Sequence, residues 1–123
     1  MKLNTSDVNL LRAMKKHCDR ISGLTNSVRS YEEFCKDPYK PAALAWYLNQ
    51  LSELARSGMG FDVRSAYGET QWFELTMLKN RVTLEYSVLD YMVIWQTAVG
   101  IVPAVSLKLS EIMGLGGVSE SPA

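Results

Sequence analysis

One histidine and two cysteines are all the soft metal-ligand chemistry that these 123 residues offer, and a structural or catalytic zinc site needs three or four such groups. The sequence therefore predicts no metal site and no cofactor. Cys18 and Cys35 are also too far apart for a Cys-x-x-Cys redox or zinc motif. Excess charge is missing as well: 13 Lys plus Arg balance 13 Asp plus Glu. That excludes a protein that holds nucleic acid by bulk positive charge. The first residues, Met1 to Asp7, lack the apolar run of a signal peptide, so a cytoplasmic protein with reduced thiols is expected. Long apolar runs are scarce too. Seventeen residues without a charge, Tyr91 to Leu107, form the longest candidate, and they include Gln96, Thr97, Gly100, Pro103 and Ser106. A membrane span needs about 20 mainly apolar residues. The run is read instead as a helix buried on most sides, by its own bundle or by a second subunit. No repeat or low-complexity tract precedes the short tail.

What is present fits one folded domain. Hydrophobic residues make up 47% of the chain and charged residues 21%, which excludes disorder as the main state. Val8, Leu11, Met14, Cys18 and Ile21 recur at three- and four-residue steps, the stripe of an amphipathic helix, with Ser6 or Asp7 as its N-cap. Ser30 and Glu33 have capping-box spacing and open a short helix that stops before Asp37-Pro38. Pro41 starts a second long helix along Leu44, Tyr47 or Leu48, Leu51, and Leu54 or Ala55, ended by Gly58 and Gly60. Phe61 to Tyr67 is short, irregular or helical. Trp72, Leu75, Leu78 and Val82 mark a further helix, and Asp90 caps the last one, which Pro103 kinks. With no strand alternation in view, the prediction is an all-α, antiparallel, four- to five-helix up-and-down bundle at residues 1–113. Residues 114–123 are expected to be a flexible tail.

Little chemistry stands alone in this pattern. His17 borders the apolar stripe of the first helix and has no acid–base partner nearby in sequence. Glu32, Glu33 and Glu53 read as solvated helix faces, and the glycines near the C-terminus form no phosphate cradle.

The segment from Trp72 to Asp90 carries more. Trp72, Asn80, Tyr86, Leu89-Asp90 and Trp95 stand in the order found in the HepT-like branch of the HEPN superfamily, which the chain resembles from about Asp7 to Met113. The link Tyr31-Glu32-Glu33-Phe34 followed by Asp37, and the stretch Leu48 to Ala55, also look like that family. The resemblance implies a small helical toxin-type ribonuclease, metal-independent and dimeric, paired with a minimal nucleotidyltransferase antitoxin. It implies an Arg-Asn pair and a His-x-Tyr motif as the site. Here Lys79 occupies the arginine position and Leu84 the histidine position, leaving Lys79, Asn80, Leu84 and Tyr86 as a degenerate motif.

Imidazole exchanges a proton near neutral pH, and an isobutyl group cannot. Lys79 keeps the charge but loses the planar fork that grips a phosphate twice. Glu85 is no substitute, because one step along a helix turns a side chain by about 100°. On a continuous helix Lys79 and Tyr86 lie about two turns apart on one face. The resemblance makes Tyr86 a candidate acceptor of a nucleotidyl group, while Lys79 and Arg81 are candidate RNA-phosphate contacts.

Three functions follow as expectations. The first is a catalytically inactive, homodimeric binding protein of the family, its interface formed by the last helix through Trp95, Ile101 and Val105. The second is an active ribonuclease rebuilt around Lys79, Tyr86 and a borrowed His17. The third is a helical adaptor unrelated to RNA.

Overall fold

The computed structural model describes residues 2–58, 60–82 and 89–119 and, at 81 and 82, the backbone alone. Helix α1, Thr5–Asn26, buries Leu11, Met14, Cys18 and Ile21 of the expected stripe, while Val8, its first member, is only half-buried. Its cap is Asn4 and neither Ser6 nor Asp7: the Asn4 side-chain oxygen accepts from the Asp7 N–H at 2.7 Å. Both expected caps lie inside the first turn. Asp7 has another task there. Only 9% exposed, it accepts the Gly60 N–H at 3.2 Å, while its negative charge sits at the favourable end of the α1 dipole. A Cβ at position 60 would stand 3.0 Å from the Asp7 carboxylate, so any larger residue there would have to push that side chain back by a few tenths of an ångström.

Ser30 caps α2, Tyr31–Lys36, by accepting the Glu33 N–H at 3.1 Å. Asp37 ends α2, and its Oδ1 accepts the N–H groups of Tyr39 and Lys40 at 2.9 and 2.8 Å where α3 begins. Helix α3, Lys40–Arg56, buries Leu44, Leu48, Leu51 and Ala55, together with Ser52. It runs antiparallel to α1, since Asp7 meets Gly60 and His17 meets Tyr47. Helix α4, Phe61–Tyr67, settles the uncertain stretch as helical.

The further helix expected through Trp72, Leu75, Leu78 and Val82 is two helices. Helix α5, Glu69–Thr76, and α6, Lys79–Val82, are separated by a turn at Met77 and Leu78. Beyond the segment 83–88, Asp90 accepts the Val93 N–H at 3.1 Å and opens α7, Tyr91–Gln96. Where a kink at Pro103 was expected, the structure has a π-helical turn, Thr97–Ile101, before α8, Val102–Leu115. Proline donates no N–H and its ring crowds the carbonyl four residues back, here that of Val99, and a wider turn accommodates both. Helix α8 packs along α1 in the antiparallel sense, with Lys15 donating to Ser106 and the Arg12 Nε to the Ser119 carbonyl at 3.2 Å.

At the end of α8, Gly117 adopts φ 68°, and the N–H groups of Gly117 and Val118 return to the carbonyls of Gly114 and Met113 at 3.1 and 2.8 Å. This is a Schellman cap. Val118 packs against the core, so the stretch expected to be loose is docked as far as Ser119. Residues 120–123 lie outside the described ones.

Every helix or strand element among the described residues is helical, and the fold is an all-α bundle. One core holds it together: Phe34, Leu44, Leu48, Leu51, Ile94 and Leu109 from four helices are fully buried. The stretch Tyr91–Leu115 has a mean hydropathy of 1.5 over its most apolar window and is long and apolar enough to cross a membrane, yet only 33% of that window is buried. The burial expected on most sides is therefore not supplied by the chain itself.

The Asp7–Gly60 contact is a charged hydrogen bond in a shielded place. Asp7→Ala should lower the unfolding free energy by about 2 kcal/mol, measured as a lower urea midpoint with an unchanged slope. An unchanged midpoint would show that the contact contributes nothing.

Candidate functional site

The motif segment begins where α5 stops, and α3 stops it. Trp72 and Leu75 point into the core, and Trp72 packs edge-on against Tyr67 with ring centroids 5.2 Å apart. Two turns later the helix ladder opens. The Ser52 hydroxyl donates to the Thr76 carbonyl at 2.8 Å and accepts the Lys79 N–H at 3.3 Å. One fully buried side chain thus satisfies a backbone acceptor and a backbone donor on either side of the break. Met77 and Leu78 turn tightly between them, their N–H groups reaching Glu74 and Leu75 at 3.1 and 3.3 Å.

Lys79 leaves this turn with its side chain directed to α3, where its ammonium donates to the Glu53 carboxylate. Both side chains are partly buried. The Lys79 hydrogen bond holds the Glu53 carboxyl below its ordinary range, and the charges of Lys79 and then Arg56 add to the effect. Glu53 is therefore a partner of the motif cation and not the free solvated face expected of it. Asn80 is exposed and points its amide toward the Met77 sulfur, 3.8 Å away. Leu84 and Tyr86, and the side chain of Arg81, lie outside the described residues, and so does the predicted two-turn alignment of Lys79 with Tyr86.

The flanking positions of the pattern are structural. Trp95 packs on Phe34 at 5.0 Å and Tyr31 at 6.2 Å, Leu89 borders the core, and Asp90 is the cap of α7. His17 packs against Tyr47 and Trp46 of α3, with ring centroids 5.8 and 6.3 Å apart. Burial, then the charges of Arg20 and Lys16, lower its pKa and favour neutral imidazole. Its Nδ1 is buried and without a hydrogen-bond partner among the described residues. Trp46 and Glu53 are seven residues apart on α3, about 10 Å along the axis. His17 and Lys79 therefore pack on α3 about two turns apart.

The sequence profile of the HepT-like family, described as "Ribonuclease HepT-like", matches residues 14–112. The chain belongs to the HepT-like ribonuclease family. A protein of Caldanaerobacter subterraneus subsp. tengcongensis named "Putative RNase TTE0752" is 24% identical over 95 residues, covering 77% of this chain and 80% of that protein. No solved structure matches. In this HepT-like chain, sequence reasoning found Lys79 but missed Ser52 and misjudged Glu53. The signal for Ser52 was a hydroxyl one residue after Leu51, on the buried side of the α3 stripe.

The Lys79–Glu53 pair has a defined pH signature. The folded pKa of Glu53 is depressed, so the pair adds stability above the unfolded carboxyl value of about 4.3. That contribution is lost as pH falls through the folded value. Lys79→Met should be less stable than the parent at neutral pH and lose that difference in acid. NMR titration should show the Glu53 carboxyl moving back up in the variant, and identical titrations in the two proteins would show that the pair is not formed.

Proposed function

We propose that this HepT-like protein has kept the family fold but lost RNA hydrolysis, and acts in the cytoplasm as a homodimeric binding protein. The observation that carries this reading is the pairing of Lys79 with Glu53. At the position where the family has an arginine, this chain has an ammonium already neutralised by a carboxylate. A phosphate would have to displace Glu53 and would gain only a point charge instead of a fork. The sequence adds Leu84 where the family places its acid–base histidine, a loss worth typically about 10²- to 10⁴-fold in rate. The rebuilt ribonuclease needs His17 at the motif, and the packing of His17 on Trp46 and Tyr47 gives that reading no support.

The dimer rests on the last helix, with different residues from those expected. Val105 is buried in the protomer core, and Trp95 and Ile101 pack against it. The large apolar side chains left exposed along it are Tyr91, Met92, Val99, Leu107 and Leu115, with Leu107 and Leu115 more than half exposed. An apolar stripe of this kind on a small protein is an interaction surface, and a two-fold axis lets it cover itself. The resemblance supplies the other partner, a minimal nucleotidyltransferase, with Tyr86 as the retained phenol that could accept its nucleotidyl group.

Purified protein should leave single-stranded RNA intact, and its expression should not arrest growth. RNA cleavage at a rate typical of HepT-like enzymes would overturn the inactive reading. Lys79→Arg combined with Leu84→His should gain cleavage. Light scattering should give twice the mass of one chain, and Leu107→Glu should convert the dimer to monomer. A monomeric parent protein would refute the dimer.

A further inference from the structure

Beside the Lys79–Glu53 pair, the end of α3, α4 and α5 enclose a second feature that the degenerate motif does not use. Arg56 from the last turn of α3, Arg64 from α4 and Glu69, Trp72 and Phe73 from α5 line one open cleft of about 380 Å³. That volume lies at the small end of the range for ligand sites, roughly 300–1,000 Å³. It has room for one compact group and not for a folded partner. Both arginines are exposed, and among the described residues neither forms an ion pair, although Glu69 lines the same cleft. Phe73 is 64% exposed at the cleft edge. A phenyl ring left largely in water forgoes the burial that normally places it inside.

We infer that this cleft binds a nucleotide unit, its phosphate held by Arg56 and Arg64 and its base stacked on Phe73. Guanidinium forks match phosphate oxygens two at a time, and an exposed aromatic face takes any base without sequence preference. An acidic peptide would satisfy the arginines and leave the ring uncovered. Glu69 repels a phosphate placed near it and so favours an anion seated at the arginines. The ligand chemistry is common to a free nucleotide and to a residue within single-stranded RNA. The inference does not depend on whether the chain cleaves RNA.

The test uses the full-length protein with three probes: AMP, adenosine, and a short fluorescein-labelled oligo(A) RNA followed by anisotropy. AMP and the RNA should bind saturably, and adenosine should bind more weakly than AMP. Phe73→Ala should weaken binding at least about fivefold, the lower limit for losing one stacked base. Arg56→Ala and Arg64→Ala should each reduce the salt dependence of RNA binding by about one unit of slope. All three side chains are exposed, and circular dichroism should confirm that the variants fold. RNA bound much more tightly than AMP identifies a strand as the ligand, and equal affinities identify the free nucleotide; either result supports the site. Absence of saturable binding by AMP and RNA, adenosine binding as tightly as AMP, or affinities unchanged in the variants would overturn it.

Discussion

Ser52 is the point at which the long helix α3 takes hold of the motif segment. A buried hydroxyl without partners is costly, and this one is satisfied by the carbonyl that closes α5 and the N–H that opens α6. That double contact sets where the break falls and therefore where Lys79 departs. Once Lys79 leaves the turn next to α3, Glu53, one residue beyond Ser52, is within reach of its ammonium. Consecutive residues of one helix thus fix the backbone of the motif and engage its cation.

The helices were legible where burial followed a single period. Leu44 and Leu51 on α3, and Leu11, Met14, Cys18 and Ile21 on α1, read directly as core, and the structure buries them. Spacing left Tyr47 against Leu48 and Leu54 against Ala55 open, and burial selects Leu48 and Ala55. The break between α5 and α6 was not legible, because Trp72, Leu75, Leu78 and Val82 keep helical spacing through it. What interrupts the helix is a hydrogen bond from a side chain 24 residues away, and hydrophobic period carries no record of such a contact. The cap of α1 was missed for a related reason. Asp7 has the chemistry of a cap, but Gly60 claims its carboxylate and Asn4 does the capping.

The candidate site was legible as a family pattern and not as chemistry. Lys79 was found by its place in the pattern, while its engagement with Glu53 needed α3 and the motif segment to be brought together. The two tryptophans that helped identify the family are packing residues, Trp72 on Tyr67 and Trp95 on Phe34. They mark the scaffold around the motif segment and carry no chemistry of their own.

The π-helical turn has a consequence for how this chain tolerates change in length. Core positions on the last helix step by four and four through Ile94, Ala98 and Val102, then by three, four and three through Val105, Leu109 and Ile112. Two successive steps of four overshoot an α-helical turn of 3.6 residues, and the wider turn absorbs the surplus residue. Removing Val99 or Gly100, both exposed, would leave Ile94 and Val102 seven apart, close to two ordinary turns. Both halves of the helix would still face the bundle. The extra residue is a local loop-out within a continuous rod, so a register change at this one place leaves the interior intact while altering the outer surface around Val99 and Gly100.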